Sequence, residues 1–120
     1  MATVTKSKLS GSTSGLQIKI VHTTNGTADT IHTAVASTNA NTWDEIWIYA
    51  YNDDTVSRNL TILFGGTTEP DNKILVAIGP QSGRTLVIDG MILQNSLVVK
   101  AYASVANVIL IDGFVNNVSP

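Results

Sequence analysis

Hydrophobic and polar residues alternate along most of this chain, which is the period of a β-strand with one buried face. Turn-forming Gly, Pro, Asn and Asp residues separate the alternating stretches. The predicted strands are 16–20, 31–35, 45–51, 59–64, 74–78, 86–88, 97–103 and 107–114. About eight short strands predict an all-β fold, an antiparallel β-sandwich with a jelly-roll-like course, although the spacing also fits a small barrel or another eight-stranded sandwich.

Most of these strands are predicted to be linked as hairpins. The first hairpin is the clearest, because Asn25-Gly26 favours a type I′ turn, in which both residues take positive φ. That turn places Ile20 opposite Ile31 and Ile18 opposite Thr33, so the buried positions of the two strands fall on one face. Two further predicted hairpins join 74–78 to 86–88 and 97–103 to 107–114.

The strand at 45–51 lacks a polar face. Its aliphatic residues point to one side and its aromatic residues to the other, since side chains alternate along a strand. The two sets are Ile46, Ile48 and Ala50, and Trp47, Tyr49 and Tyr51. An antiparallel strand with one solvated face is polar on that face. We therefore expect both faces to be covered, by a partner subunit, by a ligand or by the chain itself.

Trp43 has the same parity as the aromatic residues of this strand, so the four rings are predicted to share one face. Three roles fit such a face: a platform on which sugar rings stack, an interface between subunits, or a core covered by the chain's own loops. Trp and Tyr are enriched at protein interfaces. The candidate subunit-interface residues are Trp43, Trp47, Tyr49 and Tyr51.

The N-terminal segment differs in composition from the remainder of the chain. Residues 1–15 are rich in Ser, Thr, Gly and Lys and are broken at Gly11 and Gly15. This composition predicts either a disordered tail or an extended arm that reaches onto a neighbouring subunit. Residues 16–120 are then a single β-sandwich domain, a length that suffices for one hydrophobic core.

Composition narrows the classes of partner. The 15 Thr, 12 Val and 12 Ile favour strands. Only 13% of residues are charged, and the Lys and Arg are scattered in a chain of net charge −2. Nucleic-acid binding needs concentrated positive charge, so we expect no nucleic-acid partner. No apolar run is long enough to span a bilayer and no secretory signal is visible, so we expect no membrane partner. The chain has no Cys for a disulfide or a thiolate metal site.

Few side chains are suited to chemistry. The first predicted hairpin places His22 opposite Asp29, and His32 opposite Lys19 on the other face. The first pair is read as part of a metal site, as an acid–base pair, or as a cross-strand polar pair near a turn. Two ligands are too few for a zinc site, which favours the polar pair.

Two pairs of adjacent acids, Asp44-Glu45 and Asp53-Asp54, flank the aromatic strand. Neighbours on a strand point to opposite faces, so neither pair is predicted to converge as the carboxylates of a glycosidase do. Solvated loop acids are the main interpretation, with calcium binding next. No nucleophile elbow, phosphate loop or zinc-protease motif is present. We expect no enzyme activity and no catalytic, cofactor or metal site; a small hydrolase using these acids or His22 is the enzymatic alternative.

Five segments together resemble a family of small virion proteins of tailed bacteriophages, of the capsid decoration or cement type. The resemblance spans about residues 15–116, and its segments are 31–35, 43–52, 64–68, 80–83 and 106–109. The most specific of them is 43–52, the aromatic strand. No catalytic motif comes with the resemblance.

The resemblance implies a jelly-roll-like structural protein that binds the assembled phage head as a homotrimer and stabilises it. Its partner would be the major capsid protein, and its location the surface of the phage head after synthesis in the host cytoplasm. The N-terminal arm would extend over a neighbour. Candidate capsid-contacting residues of the arm are Thr3, Val4, Lys6, Lys8 and Leu9.

The alternative is a carbohydrate- or receptor-binding β-sandwich module from a phage tail or fibre. Such a module would use Trp43, Trp47 or Tyr51 as a stacking surface.

Overall fold

The chain folds almost entirely into β-strands. The computed structural model describes residues 2–120, and Met1, the first residue of the predicted arm, lies outside that range. The described residues form nine strands and one short 3-10 turn, Asn25–Thr27. The strands are β1 (Thr3–Lys8), β2 (Ile18–Lys19), β3 (Asp29–Thr33), β4 (Trp43–Asn52), β5 (Arg58–Phe64), β6 (Lys73–Ile78), β7 (Thr85–Leu93), β8 (Val98–Ala103) and β9 (Ile109–Ser119). The prediction of an all-β fold is confirmed.

The strands form two antiparallel sheets that pack together. Sheet A has the order β1-β9-β4-β7, and β2 also pairs with β9, on the same edge as β1. Sheet B has the order β3-β8-β5-β6. Four pairs are nested in the sequence: β2 with β9, β3 with β8, β4 with β7, and β5 with β6. The predicted antiparallel β-sandwich is thereby confirmed.

Aliphatic side chains from both sheets fill the space between them. Ile46, Ile48 and Ala50 of β4 are buried in one cluster with Leu60 and Ile62 of β5, as the alternation predicted. Burying such a Leu or Ile side chain contributes roughly 1.5–3 kcal/mol. Because the aliphatic side of β4 is committed to this core, its aromatic side must point away from sheet B.

None of the three predicted hairpins forms. β2 lies in sheet A and β3 in sheet B, and the same crossing separates β6 from β7 and β8 from β9. The Asn25-Gly26 segment adopts the 3-10 turn instead of a type I′ turn. Alternation reports which face of a strand is buried but not which strand lies beside it. Both arrangements bury Ile20 and Ile31, so the pattern did not distinguish a hairpin from a crossing.

The N-terminal segment is part of the sandwich. β1 pairs with β9 along six residue pairs, from Thr3 opposite Ser119 to Lys8 opposite Phe114. Leu9, expected on the arm, is instead a core residue with 1% exposure. The backbone N–H of the following Gly11 donates to the carbonyl of a β3 residue at 2.9 Å. The exposed strand therefore ends at Lys8, and the chain first enters the core at Leu9.

Candidate interaction surface

The outer side of sheet A carries the aromatic residues that the sequence singled out. Trp43, Trp47, Tyr49 and Tyr51 all lie on the side of β4 opposite its core residues, and each is half-buried. Phe114 of β9 lies directly opposite Trp47. We call these five residues the aromatic face. The interpretation as a core beneath the chain's own loops is wrong, because all five rings remain partly open to solvent.

Trp47 is held in place by contacts with its own strand and with both neighbouring strands, β9 and β7. Its Nε1–H donates to Glu45 Oε1 at 2.7 Å, and the Asn116 amide donates to the same oxygen at 3.2 Å. The indole stacks with Phe114, with centroids 6.0 Å apart and planes 10° from parallel. It also packs over Gly90 of β7, where an added Cβ would come within 2.9 Å of the ring. The indole is therefore ordered before any partner arrives.

The hydrogen bonds around Trp47 also set the charge of the aromatic face. Donation from Trp47, and then from Asn116, stabilises the ionised carboxylate and lowers the pKa of Glu45. Glu45 is therefore a fixed negative charge beside the indole at neutral pH.

Cationic side chains cover two of the remaining rings. The Lys6 ammonium lies 4.4 Å from the centroid of Phe114, and the Arg84 guanidinium lies 4.1 Å from that of Tyr49. Arg84 is oriented by Asp112, whose carboxylate accepts from its Nε at 2.9 Å. Such cation–π contacts are worth roughly 0.5–1 kcal/mol at exposed sites. The rings thus combine apolar area with charges held in fixed positions.

The end of the aromatic face near residue 51 is polar. Tyr51 donates its hydroxyl hydrogen to Asp53 at 3.0 Å. That hydrogen bond, followed by burial and the nearby negative charge, raises the pKa of Tyr51. The carboxylate of Asp53 therefore already accepts a hydrogen bond from a residue two positions earlier in the chain.

Exposed aliphatic side chains extend the apolar area on both margins of the aromatic face. Leu86 of β7 lies opposite Tyr49 and is 44% exposed, and Ile92 lies opposite Glu45 and is 57% exposed. Val4 of β1, on the other margin, is 61% exposed. The outer side of sheet A therefore offers aromatic and aliphatic area across its full width, from β1 to β7.

The outer side of sheet B is built differently. Thr61 and Leu63 of β5 point away from the core, yet they are 5% and 0% exposed. The segment after β5 turns back onto this side, where Glu69 accepts from Tyr102 of β8 at 2.7 Å and from Asn25 at 2.9 Å. Donation from Asn25, then from Tyr102, lowers the pKa of Glu69. The chain's own 3-10 turn and loop are therefore joined over sheet B.

The candidate arm residues separate into two groups. Thr3, Val4, Lys6 and Lys8 all belong to the exposed strand β1. Leu9 is buried in the core and cannot contact a partner, which corrects its assignment as a contact residue. All residues of β1 are exposed and Leu9 follows them directly, so no local pattern separates the exposed strand from the first core residue after it.

The predicted pairing of His22 with Asp29 is found, although the hairpin that suggested it is absent. His22 Nδ1 lies 2.9 Å from Asp29 Oδ1, and the backbone N–H groups of Val21 and His22 donate to Asp29 Oδ2. The carboxylate thus fastens the chain between β2 and β3. This is the polar-pair interpretation rather than a catalytic arrangement, since both partners serve a local loop.

The sequence did not indicate a second, buried pair. His32 Nε2 lies 2.8 Å from Asp44 Oδ2, and the two side chains are 6% and 7% exposed. The backbone N–H of Ser10 donates to His32 Nδ1 at 3.0 Å, so the ring hydrogen is on Nε2 and is donated to Asp44. The prediction that His32 lies opposite Lys19 is wrong. An irregularity in β3 after Thr30 buries both Ile31 and His32 and interrupts the alternation.

The buried pair joins elements instead of forming a reactive site. Asp44 also accepts from the backbone N–H of Val35 at 3.1 Å and from the Asn117 amide at 2.9 Å. The Ser10 hydroxyl oxygen accepts from the backbone N–H of Thr33 and does not contact the imidazole. Ser, His and Asp therefore do not form a nucleophile–base chain; they tie the start of the domain to β3, β4 and β9.

The acidic pairs diverge as predicted. Asp44 points into the sandwich and Glu45 points out onto the aromatic face. Asp54 is paired with Arg58 at 2.7 Å, and donation from Arg58 lowers the pKa of Asp54. No carboxylate pair converges at either end of β4 in the described part of the chain.

The described part of the chain holds no enclosed binding site. Residues 2–120 contain no pocket, no cluster of three or more potential metal ligands, and no helix with the length and apolar character to cross a membrane. Comparison with known proteins found no matching family model, no matching curated protein and no matching solved structure. The aromatic face is therefore the candidate functional surface.

Proposed function

We propose that this protein is a non-enzymatic virion structural protein, a capsid decoration or cement protein that binds the assembled head of a tailed bacteriophage as a homotrimer and stabilises it. The aromatic face carries this proposal. It joins Trp and Tyr side chains, which are enriched at the centres of protein interfaces, to exposed aliphatic residues on both margins. In this proposal, sister subunits of the trimer cover the aromatic face.

The aromatic rings are already held in fixed positions, and this supports an interface. Trp47 is fixed by Glu45, Phe114 and Gly90, and Tyr49 lies under Arg84. Side chains that are already ordered lose little conformational freedom when a partner packs on them, which lowers the cost of association. A rigid, half-buried aromatic layer is therefore well suited to repeated, identical contacts between subunits.

The strand order supports a jelly roll as the finer description of the sandwich. The four nested pairs alternate between the two sheets: β2·β9 and β4·β7 lie in sheet A, and β3·β8 and β5·β6 lie in sheet B. Two sheets of this kind, made by rolling up a long folded-back chain, are used by viral capsid and lectin domains.

Stabilisation of the head would follow from mass action. A protein that binds the assembled shell but not the separate capsomers shifts the equilibrium toward the shell. Each docked trimer would convert exposed apolar surface to interface at about 25 cal/mol per Å², less the costs of association.

The strand β1 is the proposed contact with the capsid. Thr3, Val4, Lys6 and Lys8 lie on an exposed edge strand of sheet A, and an unpaired strand edge offers backbone N–H and C=O groups to a neighbour. A truncation that tests this role must stop at Lys8, because Leu9 is part of the core.

The experiment uses heads of the phage that encodes the chain, prepared without this protein by deletion of its gene. We expect the purified protein to rebind to these heads at saturation in a multiple of three copies and to raise the temperature at which they rupture. Removal of residues 2–8 should weaken rebinding while the circular dichroism spectrum is kept. Absence of saturable binding by the intact protein would contradict the proposal.

A carbohydrate-binding module is the second candidate, and one contact favours it. The Glu45 carboxylate and the Asn116 amide lie beside the Trp47 indole, which is the combination of ring and polar groups that a sugar requires. Against it, Phe114 and Arg84 already occupy ring surfaces that a sugar would use. A glycan array with titration of tryptophan fluorescence distinguishes the two candidates: saturable saccharide binding would replace the cement proposal.

A further inference from the structure

We propose that β1 is an exchangeable strand, which leaves its own β9 and pairs with the β9 edge of a second copy of this chain. The proposal rests on the self-association in the proposed function, since copies must meet, but not on capsid binding. It concerns the edge of sheet A formed by residues 114–119 of β9, which adjoins the aromatic face at Phe114.

The first observation is how little of β1 is packed. All six of its residues are exposed, including the three whose side chains point to the same side as the core. What holds the strand is its backbone ladder with β9, the contact of Lys6 with Phe114, and a hydrogen bond that Lys8 Nζ donates to the Ser12 carbonyl at 2.9 Å. Segments with few buried side chains and exposed backbone hydrogen bonds are those that open locally at low free energy.

The second observation is a sharp hinge at the end of β1. Leu9 is buried in the core, the Ser10 backbone is bound to His32, and the Gly11 backbone is bound to Ile31. These contacts fix the chain from residue 9 onward whether or not β1 is in place. Opening can therefore be confined to residues 2–8 and leave the sandwich intact.

Exchange keeps the backbone pairing of β1, and the released strand is long enough to extend away from its own subunit. A β1 strand from another copy makes the same six residue pairs with β9 that the chain's own strand makes, so exchange conserves the ladder. Seven residues in extended form reach roughly 23 Å from the fixed Leu9, at about 3.3 Å per residue. A released β1 can therefore pair with the β9 edge of a second copy that lies within that distance.

The test uses two single-cysteine variants, because the chain has no native Cys. Val4 lies directly opposite Val118 in the β1–β9 ladder, and such cross-strand positions lie within the Cα separation that a disulfide spans. Val4→Cys and Val118→Cys protein are mixed at equilibrium and oxidised, and peptide mapping measures disulfides between residue 4 of one chain and residue 118 of another. Strand exchange holds these two residues side by side, so it should raise the yield of this linkage above that from random collision.

A matched pair supplies the background from random collision. Asn59 and Ala77 are exposed and lie opposite each other in β5 and β6, which are consecutive strands of one sheet and have no free end to exchange. We expect the 4–118 linkage to exceed the 59–77 linkage from mixed Asn59→Cys and Ala77→Cys protein several-fold. Equal yields would overturn the inference.

The outcome is separable from the proposed function. If light scattering gives a trimer while the 4–118 linkage stays at background, exchange is wrong and the trimer stands. If the linkage forms but the protein fails to bind deletion heads, exchange stands and the capsid role is wrong. Circular dichroism of each variant confirms that the fold is kept, and a Val4→Ser and Val118→Ser pair controls for the loss of the valines.

Discussion

The outer sides of the two sheets differ in how far the chain's own loops cover them. On sheet B, Leu63 points outward and is still fully buried, and a loop and a 3-10 turn are joined above the sheet by Glu69. On sheet A, the outward Trp47 and Tyr49 are covered only by neighbouring side chains, of the sheet itself and of Arg84 just before β7, and remain half-buried. The chain therefore covers the middle of sheet B with its own loops and leaves the aromatic rings of sheet A accessible.

This difference shows on which sheet a binding partner would bury more apolar surface. A partner on sheet B would meet a surface on which Leu63 is already buried, although Leu75 at the edge strand is exposed. A partner on sheet A would bury ordered aromatic rings and exposed aliphatic residues together, and would meet charges that are already oriented. The anomaly of a strand apolar on both faces is thus resolved on one side by the core and on the other by the proposed sister subunits.

The largest expected effect tests whether the outer side of sheet A is accessible because its central strands are only loosely paired. Gly113 of β9 pairs with Ile48, and a Cβ there would collide with the backbone carbonyl of Trp47. We expect Gly113→Ala to force the two central strands apart and to lower the free energy of unfolding by about 4 kcal/mol in urea denaturation. Gly26→Ala, where the added Cβ meets nothing within 4 Å, is the control. Equal, small effects would mean that β4 and β9 are loosely joined.

The next effect compares the two outer sides directly. Leu63→Ala on sheet B removes a fully buried side chain and should cost roughly 3 kcal/mol. Leu86→Ala on sheet A removes a side chain that is 44% exposed and should cost less than about 1 kcal/mol in the separated subunit. Chemical denaturation of the two variants at low protein concentration measures the difference. Similar losses would remove the contrast between the sheets.

A smaller effect concerns two tyrosine hydroxyls. Tyr102 donates to Glu69 across 33 positions of sequence and joins the cover to sheet B, whereas Tyr51 donates to Asp53 two residues away. We expect Tyr102→Phe to lower the thermal midpoint measurably, though by less than Leu63→Ala, and Tyr51→Phe to leave it nearly unchanged. The reverse order would show that the loop over sheet B is not fastened by this contact.

The smallest effect is a pH dependence on the aromatic face. Because the pKa of Glu45 is lowered in the folded protein, its ionised form contributes stability above the ordinary glutamate pKa of about 4.3, and the contribution is lost as the pH falls through the lowered pKa. Trp47→Phe removes the main donor, so the titration midpoint of Glu45, followed by NMR, should rise toward the ordinary value. Glu69, on sheet B, should titrate as before; a Glu45 midpoint that does not move would contradict the hydrogen bond.

Sequence patterns identified the faces of strands better than their neighbours. The alternation correctly gave the buried side of β4 and the shared side of its four aromatic residues, because burial of alternate residues is a local property. It did not reveal that β2, which ends just before Ile20, and β3, which contains Ile31, belong to different sheets, since a crossing and a hairpin bury the same residues. Turn chemistry was equally ambiguous: Asn25-Gly26 fits a 3-10 turn as well as a type I′ turn.

Contacts that depend on tertiary packing could not be predicted from the sequence pattern. His32 and Asp44 meet between the sheets because β3 is irregular after Thr30, and no spacing rule brings residues 12 positions apart in different sheets together. Leu9 follows an exposed strand directly and gives no local signal that it enters the core. Similarly, only the structure shows that Arg84 covers Tyr49.

The solution mass of two matched variants tests the central claim, that the aromatic face is the surface between subunits. Leu86→Asp places a charge beside that face, and Leu75→Asp places the same charge on an equally accessible leucine, 55% exposed, on the outer side of sheet B. By light scattering we expect Leu75→Asp protein to keep about three times the 12.7 kDa mass of one chain, and Leu86→Asp protein to fall to a single chain. A trimer that survives Leu86→Asp but dissociates with Leu75→Asp, or a wild-type protein that is monomeric at every concentration, would contradict the account.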